Sequence, residues 1–276
     1  MTLSKKSLIN SGILLLLTLA IASPLAFRVD AQSATSSNES LPTNWGAYEP
    51  DGSIGSPGRR EGGGTRGPCV ENNVNHKVTA LIPLNGFGTT IADYPTFAVY
   101  IPQLSSESNP EIEFVLRTSE KKEIYKTKFN IKQGGIVSFI LPKNSNVPGL
   151  KLNQNYFWTV TLICNPEAMD TGDVSGNKKV EGIVIRRVTP NASLRQELAA
   201  AKSWRDRVTI YAKAGIWYDA LSNLAELRRR NPTDPIIVRN WRELLKSVGI
   251  EELAQEPILA PLVGANQLSS EVTPIN

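Results

Sequence analysis

Between Val78 and Val188 apolar residues return at every second position. In Thr96–Ile101, Phe97, Val99 and Ile101 share one side; in Glu111–Arg117, Ile112, Phe114 and Leu116 do the same, with Glu113 and Arg117 on wet positions. Gly135–Leu141 repeats the pattern with Val137, Phe139 and Leu141, and Tyr156–Cys164 sets Tyr156, Trp158, Val160, Leu162 and Cys164 on one face. Lys179–Val188 closes the series. Pro102, Asn109-Pro110, Gly134-Gly135, Pro142 and Pro148-Gly149 punctuate it. Short alternating runs between turn residues predict an all-β, antiparallel two-sheet sandwich over residues 78–189.

At Thr189-Pro190 the period changes to 3.6. Asn191 or Ser193 can cap a helix reaching Ala201, and Ser203-Trp204-Arg205-Asp206 approximates a capping box for a second one, broken at Gly215. A third helix runs from about Ile216 to Arg230 with Trp217, Ala220, Leu221, Leu224 and Leu227 on one face, and Asn231-Pro232 stops it. Asp234-Pro235 is a capping acid followed by proline in the first turn. It starts a fourth helix that buries Ile237, Trp241, Leu244, Leu245 and Val248 and ends at Gly249. The fold expected is a β-sandwich followed by a small α-helical subdomain, residues 190–256.

The flanks read differently. Lys5 and Lys6 precede the apolar run Ile13–Ala22, which has the length of a signal-peptide core and is short for a bilayer span. Val29 and Ala31 offer a cleavage site, making residues 1–31 a signal peptide; a stop near Ala22 and an uncleaved anchor are the alternatives. No second long apolar run follows, so the mature chain is expected to lack a transmembrane segment. Residues 32–57 are rich in Ser, Asn, Pro and Gly and read as a flexible linker, residues 58–77 as a Gly/Arg-rich strap, and residues 257–276 as a flexible tail.

Export changes the reading of Cys69 and Cys164, the only two cysteines among 276 residues. An even count in an oxidising compartment favours a disulfide between them; the alternative is two buried thiols. The formal charge of +4 is too mild to point to nucleic acid.

Leu150–Val160 resembles the tyrosine corner of immunoglobulin-like and fibronectin type III sandwiches, with a leucine six residues before a tyrosine, Tyr156, that opens a long core strand. Its hydroxyl is expected to bond backbone near the corner, and Trp158 to fill the core behind it. Cys164 departs from the antibody pattern, which places a cysteine two residues after that tyrosine. The helical segment resembles one tetratricopeptide repeat, Ala201 to Asp234: Trp204, Tyr211, Gly215, Ala220 and Pro232 fall at its aromatic, tyrosine, glycine, alanine and closing proline positions. Leu224 stands at an aromatic position, and Arg207 and Val208 replace the usual Leu-Gly. One repeat cannot hold itself up, so these helices are expected to pack on the sandwich or on a partner. In such repeats the first helix lines the concave face. Here that face would show Lys202, Arg205, Thr209 and Lys213, joined by Arg239: a basic groove for an acidic peptide or carboxylate terminus. The alternative is a solvated helix face.

From about Pro57 to Pro257 the chain resembles domain of unknown function 928, a family of uncharacterised, mainly cyanobacterial exported proteins. The carrying segments are Gly58–Cys69, Thr79–Gln103, Glu113–Phe129, Ile163–Pro166 and Ala214–Asp234. The resemblance implies a cell-envelope location and a sandwich with helices. It implies no activity.

The strap tests whether chemistry is present. Gly58, Gly63 and Thr65 nearly spell a phosphate-binding loop, but Gly64 stands where the lysine belongs, and the segment does not join a strand to a helix. Nucleotide binding is therefore not expected. The glycines are expected to let the strap approach the sandwich, with Arg59, Arg60 and Arg66 pairing with acidic groups. His76 is the only imidazole, and no serine or cysteine sits in a nucleophile-elbow context. Asp170, Asp173 and Asn177 could offer oxygens to calcium, but the spacing fails the EF-hand pattern and a plain hairpin loop is the simpler reading. No cofactor and no metal are expected. The leading reading is a non-catalytic exported envelope protein, periplasmic or outer, that acts as a protein-interaction or structural module. The alternative is a cell-wall polysaccharide-binding module using Tyr94, Tyr100, Trp45 and Tyr48 as stacking rings. A hydrolase would need two carboxylates converging in one pocket.

Overall fold

The computed structural model describes residues 58–63, 69–71, 76–106, 108–143, 146–167 and 176–263. The leader, the linker, Arg66, Trp45, Tyr48, Asp170 and Asp173 lie outside them.

Two mixed sheets and four helices make up this part of the chain. The five-stranded sheet holds β2 (Phe87–Thr90), β4 (Glu111–Thr118), β5 (Glu123–Asn130), β7 (Asn155–Ile163) and β8 (Lys178–Arg187) in the order β2-β8-β7-β4-β5. The four-stranded sheet holds β1 (Thr79–Ala80), β3 (Thr96–Ile101), β6 (Gly135–Ile140) and β9 (Leu262–Val263) in the order β1-β3-β6-β9. The sheets face each other through their inward rings. Phe97 of β3 lies 4.9 Å from Phe114 of β4, Phe114 stacks on Phe139 of β6 at 5.1 Å, and Phe97 meets Trp158 of β7 edge-on at 5.6 Å. These are the alternate apolar positions of the sequence pattern, so the period of two does place the core.

Two pairings correct the antiparallel expectation: β2 runs parallel to β8, and β9 runs parallel to β6. The second arises because the chain returns after the helices. Ile136 N–H donates to Pro257 O at 2.8 Å, Leu259 N–H donates to Ile136 O at 2.9 Å, and Phe139 and Ile140 then pair with Leu262 and Val263. Residues 257–263, expected in a flexible tail, thus form the edge of the four-stranded sheet. In β3 and β6 five successive positions are buried, so this sheet is covered on both sides. β7 keeps the alternation of one covered face.

Tyr156 opens β7, and its hydroxyl accepts from the Lys151 N–H at 2.9 Å, fixing the turn before the strand. Cys69 and Cys164 are joined, with Cα atoms 5.1 Å apart across 95 positions. The bond ties a segment that runs beside residues 103–105 to the end of β7: Glu71 N–H donates to Gln103 O, and Ser105 N–H to Cys69 O. The strap passes so close to β8 that a Cβ on Gly58 would stand 2.1 Å from Glu181 O, and its neighbour Gly182 takes a φ of +71°. Arg59 lies 4.0 Å from Glu181, as an acid-paired strap requires. Among the described residues Arg60 makes no ion pair with an acid: its guanidinium donates to Ile82 O and, at 2.7 Å, to Val248 O.

The helices are α1 (Ala192–Ala200), α2 (Trp204–Lys213), α3 (Trp217–Arg230) and α4 (Pro235–Lys246), with a short 3-10 helix over Glu251–Gln255. Their starts follow local chemistry. Asn191 accepts from Leu194 N–H, Ser203 and Asp206 form a reciprocal capping box, and Asp234 accepts from the N–H groups of Ile236 and Ile237. α3 lacks a side-chain cap; Gly215, with φ +69°, turns the chain into it.

That turn and the first residues of α3 are welded to the sheets. Gly88 leaves room for the Tyr218 ring, since a Cβ there would sit 2.8 Å from it. Thr89 Oγ1 donates to Gly215 O at 3.0 Å, and Thr90 Oγ1 donates to Asp219 at 2.6 Å. Trp217 donates its indole N–H to Leu81 O, while the Tyr218 hydroxyl accepts from Trp158 Nε1 at 2.8 Å and donates to Val184 O. One apolar core therefore runs from the strands into the helices.

Candidate functional site

With its first turn sunk into the sheets, α3 presents its remaining length to a cleft of about 460 Å³. That volume is in the range of small-molecule sites. The helix contributes Ser222, Asn223, Ala225, Glu226, Arg229 and Arg230. The floor is the outer face of the four-stranded sheet at Thr96, Ser138 and Ile140; Trp204 of α2 closes one end, and Ile258, Leu259 and Pro261 form the opposite wall. The returning C-terminal segment, not the helices alone, thus completes the concavity. A smaller recess of about 170 Å³, lined by Thr90, Tyr94 and Asp219 among others, shares Thr96, Ser222 and Asn223 with the cleft.

The polar groups are ordered by their neighbours. Glu226 receives two N–H bonds from Arg229, at 2.8 Å each, and one from Arg230 Nε. These guanidiniums, Arg229 foremost, hold its carboxyl below the usual range. Ser222 Oγ and Asn223 Nδ2 both donate to Asp219 O. Ser138, on the sheet floor of the cleft, is only 5% exposed. Asp219 accepts from Thr90 Oγ1 and Ile91 N–H on one oxygen. Burial nevertheless pushes its carboxyl up to about 6.

The residues of the expected basic groove lie at the start of α2, along it and on α4. Arg205 donates to Asp234 at 2.8 Å and lies over the Trp204 ring at 5.3 Å. Its charge therefore braces the start of α4. Lys202 precedes α2 and lends its backbone N–H to Asp206. Thr209 is half-buried on α2, Lys213 ends that helix, and Arg239 is exposed on α4. None of the five lines the cleft. The repeat-like positions serve packing. Tyr211 and Ala220 are buried, Trp204 is half-buried, and Pro232 is exposed with its carbonyl accepting from Arg228.

Tyr100, named as a stacking ring, is 2% exposed, so it offers no face to a sugar. Tyr94 is half-buried at the smaller recess. Asn177 is engaged by the Cys164 N–H. His76 meets the Tyr100 ring edge-on at 6.0 Å. Among the described residues no three His, Cys, Asp or Glu side chains gather as a metal site, and no helix is long and apolar enough to cross a membrane. Asp219 and Glu226 sit two turns apart on α3 and line different recesses. Ser138 and the C-terminal wall escaped the sequence reading. A signal for Ser138 is present: Ile136 and Ile140, apolar on the face of β6 opposite Val137 and Phe139, imply a covering layer.

These features define a disulfide-linked pair of mixed β-sheets with a helical layer docked on it and a cleft between the two. The chain belongs to the domain of unknown function 928 family (DUF928), whose model matches residues 61–258. A comparison with curated proteins gives no match.

Proposed function

We propose that this chain is a non-catalytic binding module of the cell envelope, exported by its apolar leader, with the cleft beside α3 as its contact surface. In this reading the facing sheets are an immunoglobulin-like sandwich, and α2 and α3 are a single tetratricopeptide-like hairpin that uses the sandwich in place of a second repeat. The observation that carries the proposal is the weld at Gly88, Thr89 and Thr90: it holds α3 rigidly and leaves a preformed concavity beside it. The Cys69–Cys164 bond supports an oxidising compartment.

A photo-crosslinking amino acid placed at Asn223 in living cells should give adducts with envelope material, and one placed at Thr209 should not. Adducts at Thr209 alone would restore the outward face of α2 as the contact surface. Adducts at neither position would refute the binding-module reading.

A further inference from the structure

We propose that the cleft binds a saccharide chain bearing carboxylates, an inference that rests on the binding-module reading above. Four observations point to this ligand. The first is Ser138. Ser138 is 5% exposed and lines the floor of the cleft, where its hydroxyl can both donate and accept. A ligand group that both donates and accepts would match it, and sugar hydroxyls do both.

The second is the wall formed by Ser222 and Asn223. Each donates to Asp219 O, which fixes its orientation and leaves the Asn223 Oδ1 and the Ser222 oxygen to accept from the cleft side. The third is shape. The half-buried Trp204 indole at one end and Ile258 and Leu259 along the far wall supply apolar surface of the kind that covers the C–H faces of a pyranose ring. The fourth is charge. One carboxylate, Glu226, faces two guanidiniums. The surplus lies on Arg230, whose side chain is 69% exposed and bonded through Nε alone among the described residues. Its two terminal nitrogens can take a carboxylate as a fork.

A peptide fits less well. An extended peptide binds by adding to an open strand edge, and the edge of β6 beside the cleft is already paired with β9. The polar atoms offered to the cleft are side-chain hydroxyls, an amide and a guanidinium.

The test is calorimetric titration of the full-length protein with trigalacturonate, maltotriose and triglutamate. Trigalacturonate should bind, with affinity falling as salt rises; maltotriose should bind about tenfold more weakly, and triglutamate not measurably. Arg230→Gln, a change at an exposed side chain, should bring trigalacturonate down to the maltotriose level. Ser138→Ala should weaken both sugars about fivefold, and Trp204→Phe should retain most of the affinity. Equal binding of maltotriose and trigalacturonate would overturn the carboxylate assignment. Triglutamate binding as tightly as trigalacturonate, with Ser138→Ala without effect on either, would overturn the saccharide and leave the binding-module reading standing. If none of the three binds, the saccharide proposal falls; crosslinking at Asn223 then decides independently whether the cleft is a contact surface.

Discussion

Asp219 is a carboxyl buried where helix meets sheet, and replacing it with asparagine isolates its charge. In the folded chain its proton is held up to about pH 6, against an ordinary value of 3.8, because burial disfavours the ionised form more than its Thr90 and Ile91 bonds favour it. Between those two pH values the folded state binds more protons than the unfolded state, so stability must fall as pH rises through this window and level off above it. The full loss is the shift of about two pH units multiplied by 1.36 kcal/mol per unit, or about 3 kcal/mol at pH 7.

Asp219→Asn keeps an oxygen that can accept from Thr90 Oγ1 and Ile91 N–H, and it cannot ionise. Urea unfolding followed by tryptophan fluorescence at pH 4, 5.5 and 7 should therefore show the variant and the parent nearly equal at pH 4. The variant should gain up to about 3 kcal/mol over the parent by pH 7. Titrations elsewhere in the molecule cancel in this difference. Asp219→Ala provides the contrast: it leaves the Thr90 hydroxyl and the Ile91 N–H without their acceptor, so at pH 4 it should cost about 1–3 kcal/mol. A variant-minus-parent difference that stays flat from pH 4 to pH 7 would refute the reasoning, because the carboxyl would then titrate alike in the folded and unfolded chains.

Two further predictions concern the covalent tie and the weld. Replacing both Cys69 and Cys164 with serine should lower unfolding stability by about 4–5 kcal/mol on chain entropy for a loop of 95 positions, read as a drop in the urea midpoint that matches reduction of the parent; an unchanged midpoint would mean that the tie constrains nothing. Gly88→Ala should cost about 1–3 kcal/mol, because the new Cβ meets a Tyr218 ring whose hydroxyl is held by Trp158 and Val184; thermal melts should show the cost shrink in a Tyr218→Ala background.

Where a residue's partner lies close in sequence, the fold was legible. Asn191, Ser203 with Asp206, and Asp234-Pro235 announce α1, α2 and α4 because each cap bonds an N–H two or three positions on. The long strands β4, β7 and β8 announce themselves by alternation. β5 carries the same signal, with Tyr125, Thr127 and Phe129 set against Lys126 and Lys128, but the turn before it has no glycine or asparagine. The chain there bends through Lys121 at φ +65°, an uncommon place for a lysine, and the hairpin passes unnoticed. β2 is harder still. Its four residues, Phe-Gly-Thr-Thr, show no period, and three of them answer to partners more than 120 positions away: Gly88 to Tyr218, Thr89 to Gly215 and Thr90 to Asp219. No window short enough to reveal a strand contains those partners.

The same distinction explains why the cleft beside α3 is not legible from helical spacing. In an array of helical repeats the first helix of each pair lines a concave face because neighbouring pairs stack beside it. Here α3 meets a sheet, so the hollow beside it comes from what that helix packs against. α3 packs on the sheets at its start and stands over the four-stranded sheet along the rest of its length, and residues 257–261 return to close the far side. The cleft therefore combines β6, α3 and a segment some 120 positions beyond β6, while Arg205, which local reasoning would set in a groove, is drawn to the cap of the next helix. Helical spacing can place residues on one face of a helix. Which face becomes hollow depends on the layer that the helix meets, and here that layer is a sheet.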